Sequence, residues 1–155
     1  MEDMEKQNQW VDTIAIVLAL IGALASTAGA ALIGLSQIQA TGMSLWPLPG
    51  LVLLDWLILG IAGILGAFQT VRSADQKWLQ AIWLVTGAFV PLIILGAFSI
   101  GPFVLITYVL YLISTLILAV RRHPKWLECF GSFLLGLSAN LGILLIVIYL
   151  GQPGK

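Results

Sequence analysis

Residues 78–120 read WLQAIWLVTGAFVPLIILGAFSIGPFVLITYVLYLISTLILAV, from Trp78 to Val120, without one charged side chain. Lys77 and Arg121 bound the run. At about 1.5 Å per helical residue it is roughly twice as long as a bilayer core of about 30 Å is thick. A single straight helix cannot use that length, so the run must fold back on itself. Ser99-Ile100-Gly101-Pro102 is the place, because Gly and Pro together interrupt a helix and permit a tight connection. The decisive stretch is therefore a transmembrane helical hairpin.

The bulk composition agrees. Of 155 residues, 60% are hydrophobic and only 9% charged, with a mean hydropathy of +1.05. A small water-soluble fold leaves too much of its chain exposed to hide that much apolar surface, so the bilayer must act as solvent. The formal net charge of zero offers no electrostatic case for nucleic acid. One cysteine, Cys129, excludes an intrachain disulfide and any cysteine-cluster metal site.

Outward from the hairpin, the sequence predicts an all-α, five-span bundle in one integral membrane domain over residues 1–155, with spans at 13–35, 51–71, 78–98, 103–120 and 129–150. Pro91 lies inside the third span, where a kink is expected. The leader MEDMEKQNQWV is polar and acidic, so a cleaved signal peptide, which needs a positive n-region, is disfavoured although Ala23-Leu24-Ala25 resembles a cleavage site. Ser36 to Gly50 reads as the longest connection, extended or turned around Trp46-Pro47-Leu48-Pro49. Ile-Leu-Gly-Ala-Phe occurs at 64–68 and again at 94–98, but the flanking residues do not align, so this is no repeat.

Within the first span Gly22, Ser26, Ala30 and Gly34 recur every four residues, and Ala15, Ala19 and Ala23 follow on a neighbouring strip. Small residues let helix backbones approach closely in a membrane. The ladder is expected to mediate association with other membrane subunits or with a second copy.

Orientation follows from the cations. With five spans, Lys6, Arg72, Lys77, Arg121, Arg122 and Lys125 fall on one side and Lys155 on the other. That bias places the N-terminus in the cytoplasm and the C-terminus outside, in a cell membrane expected to be a bacterial inner membrane. Trp10, Trp78 and Trp126 fall at the inner boundary and Trp46 at the outer one, as an aromatic belt would have it.

Few residues offer chemistry. Asp55 is the one charged side chain well inside a span, and such a group usually faces protein or water. Counted from Pro49 and Pro102, its depth matches that of Thr107, Tyr108 and Tyr111, and a tyrosine hydroxyl donating to the carboxylate is the expected pairing. Asn140 lies near the middle of the fifth span on a strip with Ser132 and Gly136, where a hydrogen bond across a helix interface is expected. Asp55, Tyr108, Tyr111 and Asn140 form the candidate intramembrane polar site. Arg121, Arg122 and Lys125, with His123, form a basic cluster that can hold an anionic lipid headgroup or simply fix topology. His123, Glu128 and Cys129 are too few and too close to Pro124 to make a metal site, and no cofactor is implied. No catalytic triad, phosphate loop or His-Glu protease motif is present.

These features predict a non-catalytic accessory or structural subunit of a larger membrane complex. The alternative is a small oligomeric transporter or channel that uses Asp55 as an intramembrane protonatable group. A lipid-modifying enzyme would have only His123 and Glu128 to work with, and is the weakest reading.

Overall fold

The computed structural model describes residues 2–41, 50–73, 75–96 and 100–150, with side chains for 9–39, 50–73, 75–96 and 100–149. Five helices follow one another: α1 (Glu2–Thr41), α2 (Gly50–Arg72), α3 (Gln76–Leu95), α4 (Gly101–Arg122) and α5 (Trp126–Leu150). All five are long and apolar enough to cross a membrane. The protein is thus all-helical and multi-pass. The proposed roles of Lys6, Trp46, Leu48 and Lys155 fall outside the residues whose side chains are described.

The first helix is longer than the expected span at both ends. The leader from Glu2 to Asp12 contains neither Gly nor Pro, so a helix nucleated in the apolar run propagates back through it. Forward, Ser36 to Thr41 also lacks a breaker, and the helix runs into the segment expected to be connection. The other boundaries shift by a few residues for identifiable reasons. Asp75 caps α3, its side chain accepting from the Lys77 N–H at 3.0 Å, so the helix starts at Gln76. At its far end α3 closes at Leu95, where the Gly96 N–H donates to the Leu92 carbonyl. The hairpin connection is drawn tight by the Gly101 N–H, which donates to the Gly96 carbonyl at 2.6 Å. Pro102 sits in the first turn of α4, where its missing N–H costs nothing. His123 adopts the left-handed conformation (φ 45°, ψ 54°) and ends α4 just before Pro124. Pro91 does not interrupt α3, which continues through it.

Helices α1 to α4 form a ring in which α1 meets α2 and α4, and α3 meets α2 and α4. The fifth helix lies outside the ring, packed chiefly on α3. Tyr111 of α4 fills the centre. Its hydroxyl donates to the Gly60 carbonyl of α2 at 2.6 Å, and its ring stacks on Phe89 of α3 with centroids 5.6 Å apart. The ring edges lie where a side chain at Gly22 of α1 or Gly63 of α2 would stand, the hypothetical Cβ atoms falling 3.2 and 2.5 Å from it. The contact of α3 with α5 is closer still. A Cβ on Gly87 would collide with the Phe133 carbonyl, and one on Gly136 with the Leu84 carbonyl, so the two backbones touch.

A side chain at Gly136 cannot be relieved by rotamer change, because the obstacle is backbone. Gly136→Val is expected to destabilise the protein by about 3 kcal/mol, the upper end of ordinary overpacking. Gly131→Ala on the same helix, which meets nothing within 4 Å, should change stability by less than about 0.5 kcal/mol. Unfolding of both variants in detergent, read by circular dichroism, distinguishes the two sites.

Candidate functional site

The site is built from three helices. Asp55 lies five residues into α2, and Ala88 and Asn140 lie near the middles of α3 and α5. The glycine contacts that bring α5 onto α3 carry Asn140, 3% exposed, to the α3 backbone. There its Nδ2 donates to the Ala88 carbonyl at 2.7 Å. A carbonyl can only accept, so this bond fixes which end of the carboxamide faces α3. The acceptor lies next to Gly87, whose own carbonyl loses its helical donor to Pro91. Proline is tolerated inside a membrane helix where neighbouring groups satisfy the disturbed backbone, and Asn140 supplies such a group.

Asp55 joins the cluster from α2, its carboxyl group lying close to the Asn140 carboxamide. Two buried oxygens of the cluster, Oδ2 of Asp55 and Oδ1 of Asn140, have no donor. One helical turn toward the Gly50 end lies a cavity of about 380 Å³, walled largely by aliphatic side chains of α1, α2, α3 and α5. The arrangement can hold a proton or a positively charged donor between two acceptors in apolar surroundings.

The expected partnership of Asp55 with Tyr108 and Tyr111 does not form. Tyr111 is drawn into the notch between Gly22 and Gly63 and bonds Gly60, more than a turn deeper than Asp55. Tyr108 packs half-buried against the core, and Thr107 returns its hydroxyl to Phe103 of its own helix at 3.3 Å. Depth counted from a proline is approximate, and it is silent about which helices are neighbours. Asn140 was found by its position in the span, and its bond across a helix interface is as expected. Its proximity to Asp55 left no signal in the spacing, since two helices, α3 and α4, separate the residues in sequence.

The basic cluster also makes bonds within the chain. Arg121 pairs with Asp12 of α1. Nη2 of Arg122 donates to the Thr70 and Val71 carbonyls at 2.8 and 3.2 Å, closing the last turn of α2. Lys125 pairs with Glu128 at 3.2 Å on an open surface, and Glu128 also accepts from Gln80 at 2.8 Å. Of the three residues read as a headgroup contact, only Lys125 remains largely exposed. Asp12 escaped notice because it sits at the edge of the apolar run, where a lone acid reads as the end of a polar leader.

The small-residue ladder is likewise used inside the chain. Gly22 and Gly34 are buried, Ala30 nearly so, and the Ser26 hydroxyl donates to the Trp56 carbonyl at 3.1 Å. Ala15 of the second strip offers its carbonyl to Ser114 of α4 at 2.8 Å. Ala30 and Gly34 also line a shallow open groove between α1 and α2. Among the described residues no three His, Cys, Asp or Glu side chains gather as a metal site would require.

The fold and the cluster define a five-helix multi-pass membrane protein with a polar contact buried between α2, α3 and α5. Comparison with models of known families, with curated proteins and with solved structures gives no match.

Tyr111→Phe leaves the ring in place and removes only its hydroxyl from Gly60. The expected cost is about 1 kcal/mol, the net worth of one such bond in a protein. Tyr111→Ala should cost about 3–5 kcal/mol through the cavity it opens. Chemical unfolding in mixed micelles measures both.

Proposed function

We propose that the protein is a small membrane transport component in which Asp55, held by Asn140, is the working protonatable group. The carrying observation is the Asp55–Asn140–Ala88 cluster: one carboxylate in an otherwise chargeless apolar zone, joined across three helices, beneath a cavity that opens at the Gly50 end. The other buried polar groups serve packing. Ser26, Tyr111, Ser114 and Arg122 each donate to a backbone carbonyl of a neighbouring helix, which leaves Asp55 as the carboxylate without such a role. The cation distribution supports an arrangement with the Arg72 end in the cytoplasm and the cavity facing outward. A five-helix chain encloses little space, so a complete pathway would be shared between copies.

A second reading, an accessory subunit of a larger membrane assembly, is supported by α5. That helix packs chiefly on α3 and leaves Phe130, Leu134, Leu135, Ile143, Leu145 and Ile146 exposed. Lipid or a partner helix would cover such a face equally well.

Reconstitution in proteoliposomes tests the first reading. Under an imposed potential the wild type should admit protons, reported by a trapped pH dye, and Asp55→Asn should reduce the rate to that of protein-free vesicles. Asn140→Ala should fall between them. Flux unchanged by Asp55→Asn would remove the carboxylate from the mechanism. Stoichiometric partners on mild solubilisation, together with no flux, would favour the second reading.

A further inference from the structure

The walls of the 380 Å³ cavity include Ile33 and Gln37 of α1, Val52 of α2, Leu92 of α3, and Leu144 and Ile148 of α5. Three of these lead to the polar cluster by one helical turn each: Val52 to Asp55, Leu92 to Ala88, and Leu144 to Asn140. The cluster therefore lies one helical turn beyond the cavity's lining. Leu92 and Leu144, 1% and 2% exposed, form the partition between them, and a leucine side chain can change rotamer.

Below that partition the two donor-less oxygens carry a definite chemical requirement. A buried acceptor without a donor is costly, and a buried carboxylate without a counter-charge more so. Within the spanning segments the chain supplies no cation for it. Residues 13–71, 78–120 and 129–150 contain no Lys, Arg or His, and the titratable side chains there besides Asp55 are Tyr108, Tyr111, Cys129 and Tyr149. Tyr111 is committed to Gly60, and Cys129 lies buried near the opposite end of α5. A proton on the carboxyl would meet that requirement, and so would a ligand with positive charge, several N–H donors and an apolar body that fits among Ile33, Val52 and Ile148.

We propose that the cavity binds a free lipophilic primary amine, its ammonium group reaching Asp55 Oδ2 and Asn140 Oδ1 past Leu92 and Leu144. An ammonium group offers three donors, enough for both orphan oxygens, and neutralises the carboxylate at the same time. The inference rests on reading Asp55 as a working group, and it adds the class of ligand.

Isothermal titration of the full chain in phosphatidylcholine nanodiscs, corrected against empty nanodiscs, compares octylamine with 1-octanol at pH 7. The wild type should bind the amine at least about ten-fold more tightly, as one charge-assisted hydrogen bond provides. Asp55→Asn should bring the ratio close to one, and Asp55→Glu should retain the preference, which separates lost charge from lost folding. Leu144→Trp, which fills the cavity, should abolish binding of both probes. Equal affinity for amine and alcohol in the wild type would overturn the proposal, as would a preference that survives Asp55→Asn or binding that survives Leu144→Trp. Competition by added phosphatidylethanolamine would overturn the assignment to a free amine. Loss of proton flux in Asp55→Asn without any amine preference in the wild type would sink this inference and leave the transport reading standing.

Discussion

Close approach of helix backbones is the constraint from which this fold follows. In hydrocarbon an apolar side chain gains almost nothing by exchanging lipid for a neighbouring helix, so association depends on dense contact and a few polar bonds. Tyr111 shows both at once. Its ring lies where Gly22 and Gly63 leave room, its face stacks on Phe89, and its hydroxyl reaches a carbonyl on α2, so one residue of α4 touches the other three helices of the ring. The same economy holds α5 to α3, where Gly87 and Gly136 let backbone meet backbone and Asn140 adds the polar bond. A methyl group at either glycine would push the helices apart and draw Asn140 away from Ala88.

The two ends of the bundle differ in kind. At the Arg72 end, Arg121 and Asp12 tie α4 to α1, Arg122 closes α2, and Trp83 sets its ring edge-on to Trp126 and Phe133. Side chains from all five helices thus interlock there. Toward the Gly50 end lies an apolar cavity, and the described polar groups there are fewer. Such a structure is braced at one end and accessible at the other, which is the geometry a ligand entering from one side requires. The carboxylate lies one helical turn from that cavity's lining.

Much of the fold was legible in residue order because the bilayer imposes so few solutions. A chargeless run twice as long as a membrane is thick must turn back, and Gly101-Pro102 marked the place. Helix ends were less legible, because the amphipathic leader and the segment 36–41 lack the breakers that would have stopped α1. Neighbour relations were least legible of all. Depth along the normal can be counted from a proline, whereas rotation about a helix axis is set by packing. That is why counting from Pro102 could not give Tyr111 its partner, Gly60, more than a turn deeper than Asp55, and why a ladder of small residues gave an interface without saying whose. A basic cluster that satisfies the topology rule can also satisfy carbonyls at the end of α2, as Arg122 does, and only the three-dimensional arrangement reveals that use.

The cluster of Asp55, Asn140 and Ala88 is where structural and functional demands meet. Asn140 helps to seat α5 beside the proline-containing stretch of α3, and the same carboxamide lies near the carboxylate. Whatever occupies Asp55 is therefore felt at the α3–α5 contact. Infrared difference spectroscopy of the carboxyl stretch, recorded between high and low pH in lipid, tests this coupling most directly. A band that disappears in Asp55→Asn and moves to higher frequency in Asn140→Leu, as a carboxyl group does on losing a hydrogen-bond partner, is the result expected. A band assigned to Asp55 that Asn140→Leu leaves unmoved would contradict the account.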